Sequence, residues 1–538
     1  MVATGAPEAT AAAVRILENG GNAIDAAVTA ALALGVADAD ASGIGGMTYM
    51  VIHLANGRTL AVDGSARTPT TIDIESFTEF KESGRSWGYE TIAVPTTLAT
   101  LEYARQRYGT MDMAALLQPA IDVAERGYAF SQIQLTWAEK YYEKIMKSPA
   151  YMRSLAFEDG RTIGKLGDRH CQPDQANTLR RIAVEGVQSF YRGSIADEIE
   201  ADMIRGGGFV RKSDLAMIRI REIQPLHTTY RDFDIYAFPP PGGGAGVVAA
   251  LNIFENYPTG FLAEDSVERH HMLIEAFRIA AADAREAGNP QRSYGSNPLS
   301  KQHARERTAL IVPGKMIPKE MLATSIDPSC ETASESTTQV SVADNQGNVV
   351  SLTQTLGRSF GSKIATPRLG FSYNSFLEFF NADKPQCPGY LRPNSQTATD
   401  MAPTIVFKDG RLVVALGSPG SIKIPPIIAE VISNMVDRGM SVRDAVAAPR
   451  VLWGGYNRKR AWVEVVDPIT EEDAHALEQM GFEGMTELHY PPPGDTTMPN
   501  FGGVNAVAYD EQAGVFYGVG DPRRNGSAMG PRVVPVRE

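Results

Sequence analysis

The sequence predicts a layered α/β or α+β fold, with helices packed over stacked sheets. Two features point to it. Alternating apolar runs that read as strands lie towards both ends of the chain, and the long stretch between them carries apolar residues at three- and four-residue spacing. Composition agrees: 43% apolar and 21% charged residues over 538 positions suit a globular chain with a sizeable core, and 50 Gly with 33 Pro suit many turns. The length favours two lobes over four.

The elements follow in order. "APEATAAAVRILENGG" reads as an amphipathic helix with Gly20 and Gly21 beyond its end, and "GNAIDAAVTAALAL" opens a second helix. The turn "SGIGGM" leads into "TYMVIHLANGRTLAVDG", two strands around Asn56-Gly57, the strongest short-range hairpin signal. From 95 to 288 helices dominate, among them "TTLATLEYARQRYG", "DMAALLQPAIDVAERG", "QANTLRRIAVEG", "SIADEIEADMIRGGG" and "SVERHHMLIEAFRIAAADAREAG", each ending on glycine. Within them "YRDFDIYAFPPPGGGAGVVAALNIFENY" reads as strand, Pro/Gly turn and helix. Residues 289–335 lose periodicity and read as a long exposed connection. Strands then return as "TTQVSVADNQGNVVSLTQTL", "FSYNSF", "PTIVFKDGRLVVALGSPG" and "GVNAVAYDEQAGVFYGVGD", with "IPPIIAEVISNMVDRG" and "TEEDAHALEQMG" as helices between them.

Several function classes are disfavoured. The net charge is −12 and no Lys/Arg block is present, so neither a nucleic-acid footprint nor a membrane-surface patch is expected. The apolar run 26–37 is far short of a membrane span, and no basic region precedes an apolar run at the N-terminus. A cytoplasmic chain is therefore expected, unless a targeting segment has been removed. Cys171, Cys330 and Cys387 are odd in number and widely spaced, which argues against a disulfide framework and a zinc site and leaves them as unpaired thiols. His270-His271 lacks a third spaced ligand, so no metal is expected. "PPPGGGAG" lacks the lysine and glycine spacing of a phosphate loop.

Thr337 and Thr338 open a strand directly after the exposed connection, and Thr355 lies on the strand that returns. A threonine hydroxyl needs a base, and an N-terminal threonine carries one in its own α-amine. Cleavage between Ser336 and Thr337 would supply that amine. Threonines are also common in strands, so the local pattern has a purely structural reading beside this one.

The blocks "MVATGAPEATAAAVRILENGGNAIDAAVTAALAL", "SGIGGM", "YGTMDMAALLQPAIDVAERGYAFS", "GFVRKSDLA", "YRDFDIYAFPPPGGG", "TTQVSVADNQGNVVSLTQTLGRSFGS", "PTIVFKDG", "LGSPGS" and "GVGDPRRNG" occur in this order. In order and approximate spacing the chain resembles the gamma-glutamyltranspeptidase family of N-terminal-nucleophile hydrolases. The resemblance implies a four-layer αββα fold, self-cleaved into a large subunit, 1–336, and a small subunit, 337–538, that remain associated in one intertwined unit. It implies Thr337 as nucleophile, Thr355 as the residue orienting its amine, and the backbone N–H groups of Gly420 and Ser421 as the oxyanion site. Ser421 stands where the family has a second glycine.

The resemblance fails at the glutamate clamp. Ser65 stands at the family's arginine position, Gly357 at its asparagine, Phe376 and Phe379 at its glutamine and aspartate, and Thr399-Asp400 at its serine pair. Arg67, Arg358 and Arg523 are the arginines left to read a carboxylate, each with a surface salt bridge as its alternative reading, and Phe376 is either core or an apolar wall for the acyl group. The expected activity is hydrolysis of a small non-glutamyl amide through an acyl-enzyme on Thr337. Two alternatives stand beside it: gamma-glutamyl transfer through a rebuilt pocket, and a catalytically silent binding protein on the same fold. No cofactor is implied, since nucleophile and base are both in the chain. Expected partners are the small-molecule amide and the two pieces of the cleaved chain, with pairing of two αβ units left open.

Overall fold

The computed structural model describes residues 1–149, 151, 164–289, 297–322, 324, 336–385, 387, 389–455, 459, 461–464, 468–483 and 501–532. Two sheets form its centre. The first has seven strands in the order Ser527–Met529, Val2–Thr4, Ser336–Ala343, Val349–Gly357, Met47–His53, Thr59–Gly64 and Arg221–Ile223. The second has six, in the order Val515–Gly520, Asn505–Asp510, Arg411–Gly417, Thr404–Lys408, Phe233–Ala237 and Leu226–Tyr230.

Side-chain alternation along each strand divides the apolar residues between two faces. On the first sheet Val340, Val342, Val350, Leu352, Met50 and Ile52 pack with the helices Pro7–Glu18, Ala23–Ala37 and Met113–Arg126. Its other face, with Met47, Tyr49, Val51 and Ala343, packs against Ile405, Phe407, Ala415 and Val507 of the second sheet. Beyond that sheet lie the helices Gly244–Phe254, Val267–Ala287 and Ile424–Val436, packed on Ile235, Val406 and Leu416. The result is helix, sheet, sheet, helix, the four-layer arrangement that the resemblance implies.

Helix Ala23–Ala37 is buried along its whole length, which its nearly uninterrupted apolar sequence allows. A reciprocal cap starts it: the Asn22 side chain accepts from the N–H groups of Ile24 and Asp25, and Asp25 accepts from the Asn22 N–H. The helix ends at Asp38, beside Thr338 of the strand Ser336–Ala343.

Four expectations are corrected. "FSYNSF" is not a strand; after a lone bridge between Ala365 and Ser372 it becomes a single turn, Phe376–Phe379. Asn374 explains this, because its side chain accepts from the N–H groups of Ala93 and Phe376 and donates to the carbonyls of Gly45 and Ala93, taking the place of a strand partner. The expected connection contains the helix Lys301–Thr308, capped by Ser300, whose polar sequence with only Ala304 buried hides any periodicity. Residues 325–335 of that connection and Cys330 lie outside the described residues. The short strands Val2–Thr4, Arg221–Ile223, Leu226–Tyr230 and Ser527–Met529 also went unread, each too short to show alternation clearly. Finally, Cys171 is an exposed free thiol but Cys387 is disulfide-bonded, against the expectation of unpaired thiols. Spacing along the chain carries no information on distance in space.

No helix among the described residues is long and apolar enough to cross a membrane. Close backbone approach ties the "SGIGGM" turn to the strand that carries Thr355: a Cβ on Gly46 would lie 2.3 Å from the Thr355 carbonyl oxygen. Gly46→Ala is therefore expected to lower stability by ~1–3 kcal/mol, read as an earlier midpoint in urea unfolding. An unchanged midpoint would contradict this packing.

Candidate active site

Thr337 is fully buried on the strand Ser336–Ala343, and its hydroxyl has no hydrogen-bond partner. Its direction follows from period two. Gln339 abuts Gly417, and the Ser341 hydroxyl donates to the Asn505 carbonyl at 2.9 Å, so Thr337, on their side of the strand, faces the second sheet. Thr338 faces the helix layer, against Gly5 and Asp38.

The hairpin is irregular at this point. Gln354 pairs with Thr338 and Gly357 with Ser336, so Thr355 and Leu356 together oppose Thr337. Such a bulge leaves the extra residue on the returning strand outside the regular ladder and bends that strand locally. Gly357 accommodates it with a φ of 95°, a left-handed value that favours glycine. The Thr355 hydroxyl accepts from the Gly357 N–H at 2.8 Å and donates to the Ser336 carbonyl, the carbonyl of the bond expected to be cut.

The loop after strand Arg411–Gly417 lies close by. Ser418 Oγ donates to the Pro419 carbonyl at 2.7 Å and accepts from the Gly503 N–H at 3.1 Å. Gly420 has a φ of 146°, and Ser421, where the family has glycine, adopts a left-handed φ of 61°. The backbone turn is thus made without the second glycine, at the modest cost a non-glycine residue bears in that region.

A cavity at the strand end is lined by Thr337, Thr338, Pro419, Gly503, Asp38, Asp40 and Arg524 among others. Arg524 Nη1 donates to the Thr337 carbonyl at 3.3 Å, and its stem lies against Gly503. Burial and the neighbouring Asp40 push the Asp38 carboxyl up to about 7, although the Thr338 hydroxyl and Arg524 pull the other way. Burial also raises Asp40, opposed by Arg524. Lys423, just after the loop, is pushed down to about 8 by burial and then by Arg524.

The family model for gamma-glutamyltranspeptidase matches residues 9–531. The chain belongs to the gamma-glutamyltranspeptidase family. It is 32% identical to a glutathione hydrolase proenzyme of Pseudomonas sp. strain A14, over 98% of this chain and 94% of that protein. It is also 32% identical to an Acylase ACY 1 proenzyme of Pseudomonas sp. strain V22, over 95% and 90%. Among solved structures, a cephalosporin acylase from Bacillus halodurans superposes with a TM-score of 0.84 at 28% identity, covering 99% of this chain and 95% of that one. The chain is thus an amide hydrolase or acyltransferase of the N-terminal-nucleophile class.

Against the family's pattern, the clamp positions are filled as follows. Ser65 Oγ donates to Asp63 at 2.6 Å and lies 2.9 Å from the Tyr49 hydroxyl. Phe376 is fully buried, with its ring against Gly357, and so is core at the edge of the site. Arg358 is held by Glu378 at 2.6–2.7 Å and lies over the Phe379 ring. Arg67 Nη1 reaches the Asn394 carbonyl at 3.4 Å.

Arg523 is locked inside a charge network. It pairs with Glu464 at 2.6 Å and Asp521 at 3.3 Å, and donates to the carbonyls of Val446, Ala447 and Ala448. The arginine of the "DPRR" run that reaches Thr337 is Arg524. That residue, Asp38 and Asp40 escaped the sequence reading, although two aspartates within "GVADADASG" are an available signal because they interrupt an apolar run at a helix end. Among the described residues no cluster of His, Cys, Asp or Glu could hold a metal ion.

Because Ser421 supplies its backbone in a left-handed conformation, Ser421→Gly is expected to raise stability by up to about 1 kcal/mol and leave kcat/KM within a few-fold. A loss of about 10²-fold or more would mean that the serine side chain, rather than its N–H, takes part in the chemistry.

Proposed function

We propose that the chain cleaves itself between Ser336 and Thr337 and then hydrolyses a small amide whose acyl group lacks a free α-amine. The observation that carries this reading is the placement of a buried, unpartnered Thr337 hydroxyl at a bulge where Thr355 donates to the Ser336 carbonyl.

In the first step Thr337 Oγ attacks the Ser336 carbonyl carbon, and the Thr355 hydroxyl stabilises the charge that develops on its oxygen. The peptide C–N bond breaks, its nitrogen takes the proton that the Thr337 hydroxyl gives up, and an ester to Thr337 forms. Water opens the ester, leaving a carboxylate on Ser336 and a free α-amine on Thr337. The pieces 1–336 and 337–538 stay together, since the first sheet draws strands from both.

In turnover the α-amine takes the proton from Thr337 Oγ as the oxygen attacks the substrate carbonyl, and later gives it to the leaving amine. The N–H groups of Gly420 and Ser421 face the developing oxyanion. Water then releases the acid and frees the threonine.

The preference against glutamyl donors rests on the clamp positions. An ammonium placed beside Phe376 and Phe379 would lose water without gaining a carboxylate, a large cost for a buried charge. The acylase names among the relatives support this direction, and the glutathione hydrolase names mark the rival. That rival now depends on Arg67, because Arg358 and Arg523 are held in ion pairs.

The test compares p-nitroanilides of glutaric acid and γ-glutamic acid, with oxamate and glutathione as further substrates. The glutaryl compound is expected to exceed the γ-glutamyl one by about 10²-fold in kcat/KM, as expected for a site that leaves a polar group unpaired. The reverse order, with γ-glutamyl activity lost in Arg67→Ala, would establish the rebuilt glutamate pocket instead. Thr355→Ala is expected to slow self-cleavage by about 10²–10³-fold, followed by intact mass over time.

A further inference from the structure

The charges around Thr337 are not symmetric. Its carbonyl oxygen accepts from Arg524, 3.3 Å away, so the guanidinium sits within roughly 7 Å of the nitrogen of the same residue. Arg524 is held in that place by its stem on Gly503, whose N–H is tied to Ser418 in the oxyanion loop. The next residue back, Arg523, is fixed by Glu464 and Asp521, which leaves the turn little freedom to move.

We propose that Arg524 is a positioning residue for turnover: its fixed positive charge keeps the Thr337 α-amine unprotonated and so ready to act as the base. The inference rests on the reading of Thr337 as an N-terminal nucleophile. An α-amine ordinarily titrates near 7.7–8.0, so at neutral pH most of it would hold a proton and be useless as a base. A nearby cation disfavours the ammonium form. The same side chain, by holding the Thr337 carbonyl, fixes the amine's orientation without accepting anything from it.

The other charges near the amine set the size of the effect. Asp38 and Asp40 line the same cavity and favour the ammonium. They are also buried side by side, and burial resists their full ionisation, so they offset Arg524 only in part. Lys423, near Arg524, carries charge of the same sign. Around the acid pair, Thr338, Gln134 and Tyr128 contribute hydrogen bonds or a phenol that burial keeps neutral. A unit charge at this range shifts an amine by about one to two units, part of which the acid pair cancels.

The test is competitive labelling of the cleaved protein with trace acetic anhydride across pH, with the acetylated peptide that begins at Thr337 quantified by mass spectrometry. The wild-type amine is expected to titrate about one unit below the ordinary range. Arg524→Gln, which keeps a donor but not the charge, is expected to raise the midpoint by about one unit, and Arg524→Lys to leave it within a few tenths. A purely structural role would not separate Gln from Lys. A wild-type midpoint at or above 8 overturns the assignment by itself, even if Arg524→Gln fails to cleave. A cleaved protein with an ordinary midpoint refutes only the role of Arg524, whereas a chain that never cleaves refutes the hydrolase reading as well.

Discussion

The bulge that sets Thr355 and Leu356 against Thr337 is the constraint on which the site depends. In a regular antiparallel ladder the peptide before Thr337 would be bonded flat into the sheet, with its carbonyl committed to the neighbouring strand. Here the extra residue shifts the register, Ser336 pairs with Gly357, and the Thr355 hydroxyl donates to the Ser336 carbonyl. Two glycines make the irregularity feasible: Gly357 takes the left-handed conformation, and Gly46 lets another chain segment press against Thr355. The chemistry proposed for this chain thus begins as a defect in strand register.

A second constraint holds the far wall. Arg450, Asp521, Arg523 and Glu464 form a buried charge network joining the end of a helix, a short strand and the C-terminal turn. Burial pushes the Asp521 carboxyl up, but Arg450 and Arg523 outweigh it and hold the group below its ordinary range. Removing one partner from such a network strands a buried charge and is far more damaging than losing an exposed pair. Asp521 also accepts from the N–H groups of Val504 and Arg523, so the network fixes the backbone around Gly503 and hence the position of Arg524.

Much of the fold was legible because its core strands are long and alternate cleanly. The hairpin around Asn56-Gly57 and the one from Ser336 to Gly357 emerge where the sequence puts them. Short edge strands such as Val2–Thr4 were not legible, because three residues carry no period and their partners lie hundreds of positions away. "FSYNSF" misled because its alternating pattern suits a strand while Asn374 satisfies neighbouring backbone groups by itself. At the site, threonines at the mouth of a hairpin announced themselves, and a salt-bridge role already stood beside a carboxylate-reading one for Arg358 and Arg523, but their partners Glu378 and Glu464 could not be named from sequence. The reaching residue, Arg524, was one position away.

The central claim is that Thr337 becomes the N-terminus and the nucleophile of the working protein. Intact-mass spectrometry of the purified wild type beside Thr337→Ala, with sequencing of the smaller fragment, tests it most directly. The account predicts two wild-type chains divided before Thr337 and one uncut variant chain. A wild-type chain that stays whole after prolonged incubation, or a fragment that begins at any other residue, would contradict it.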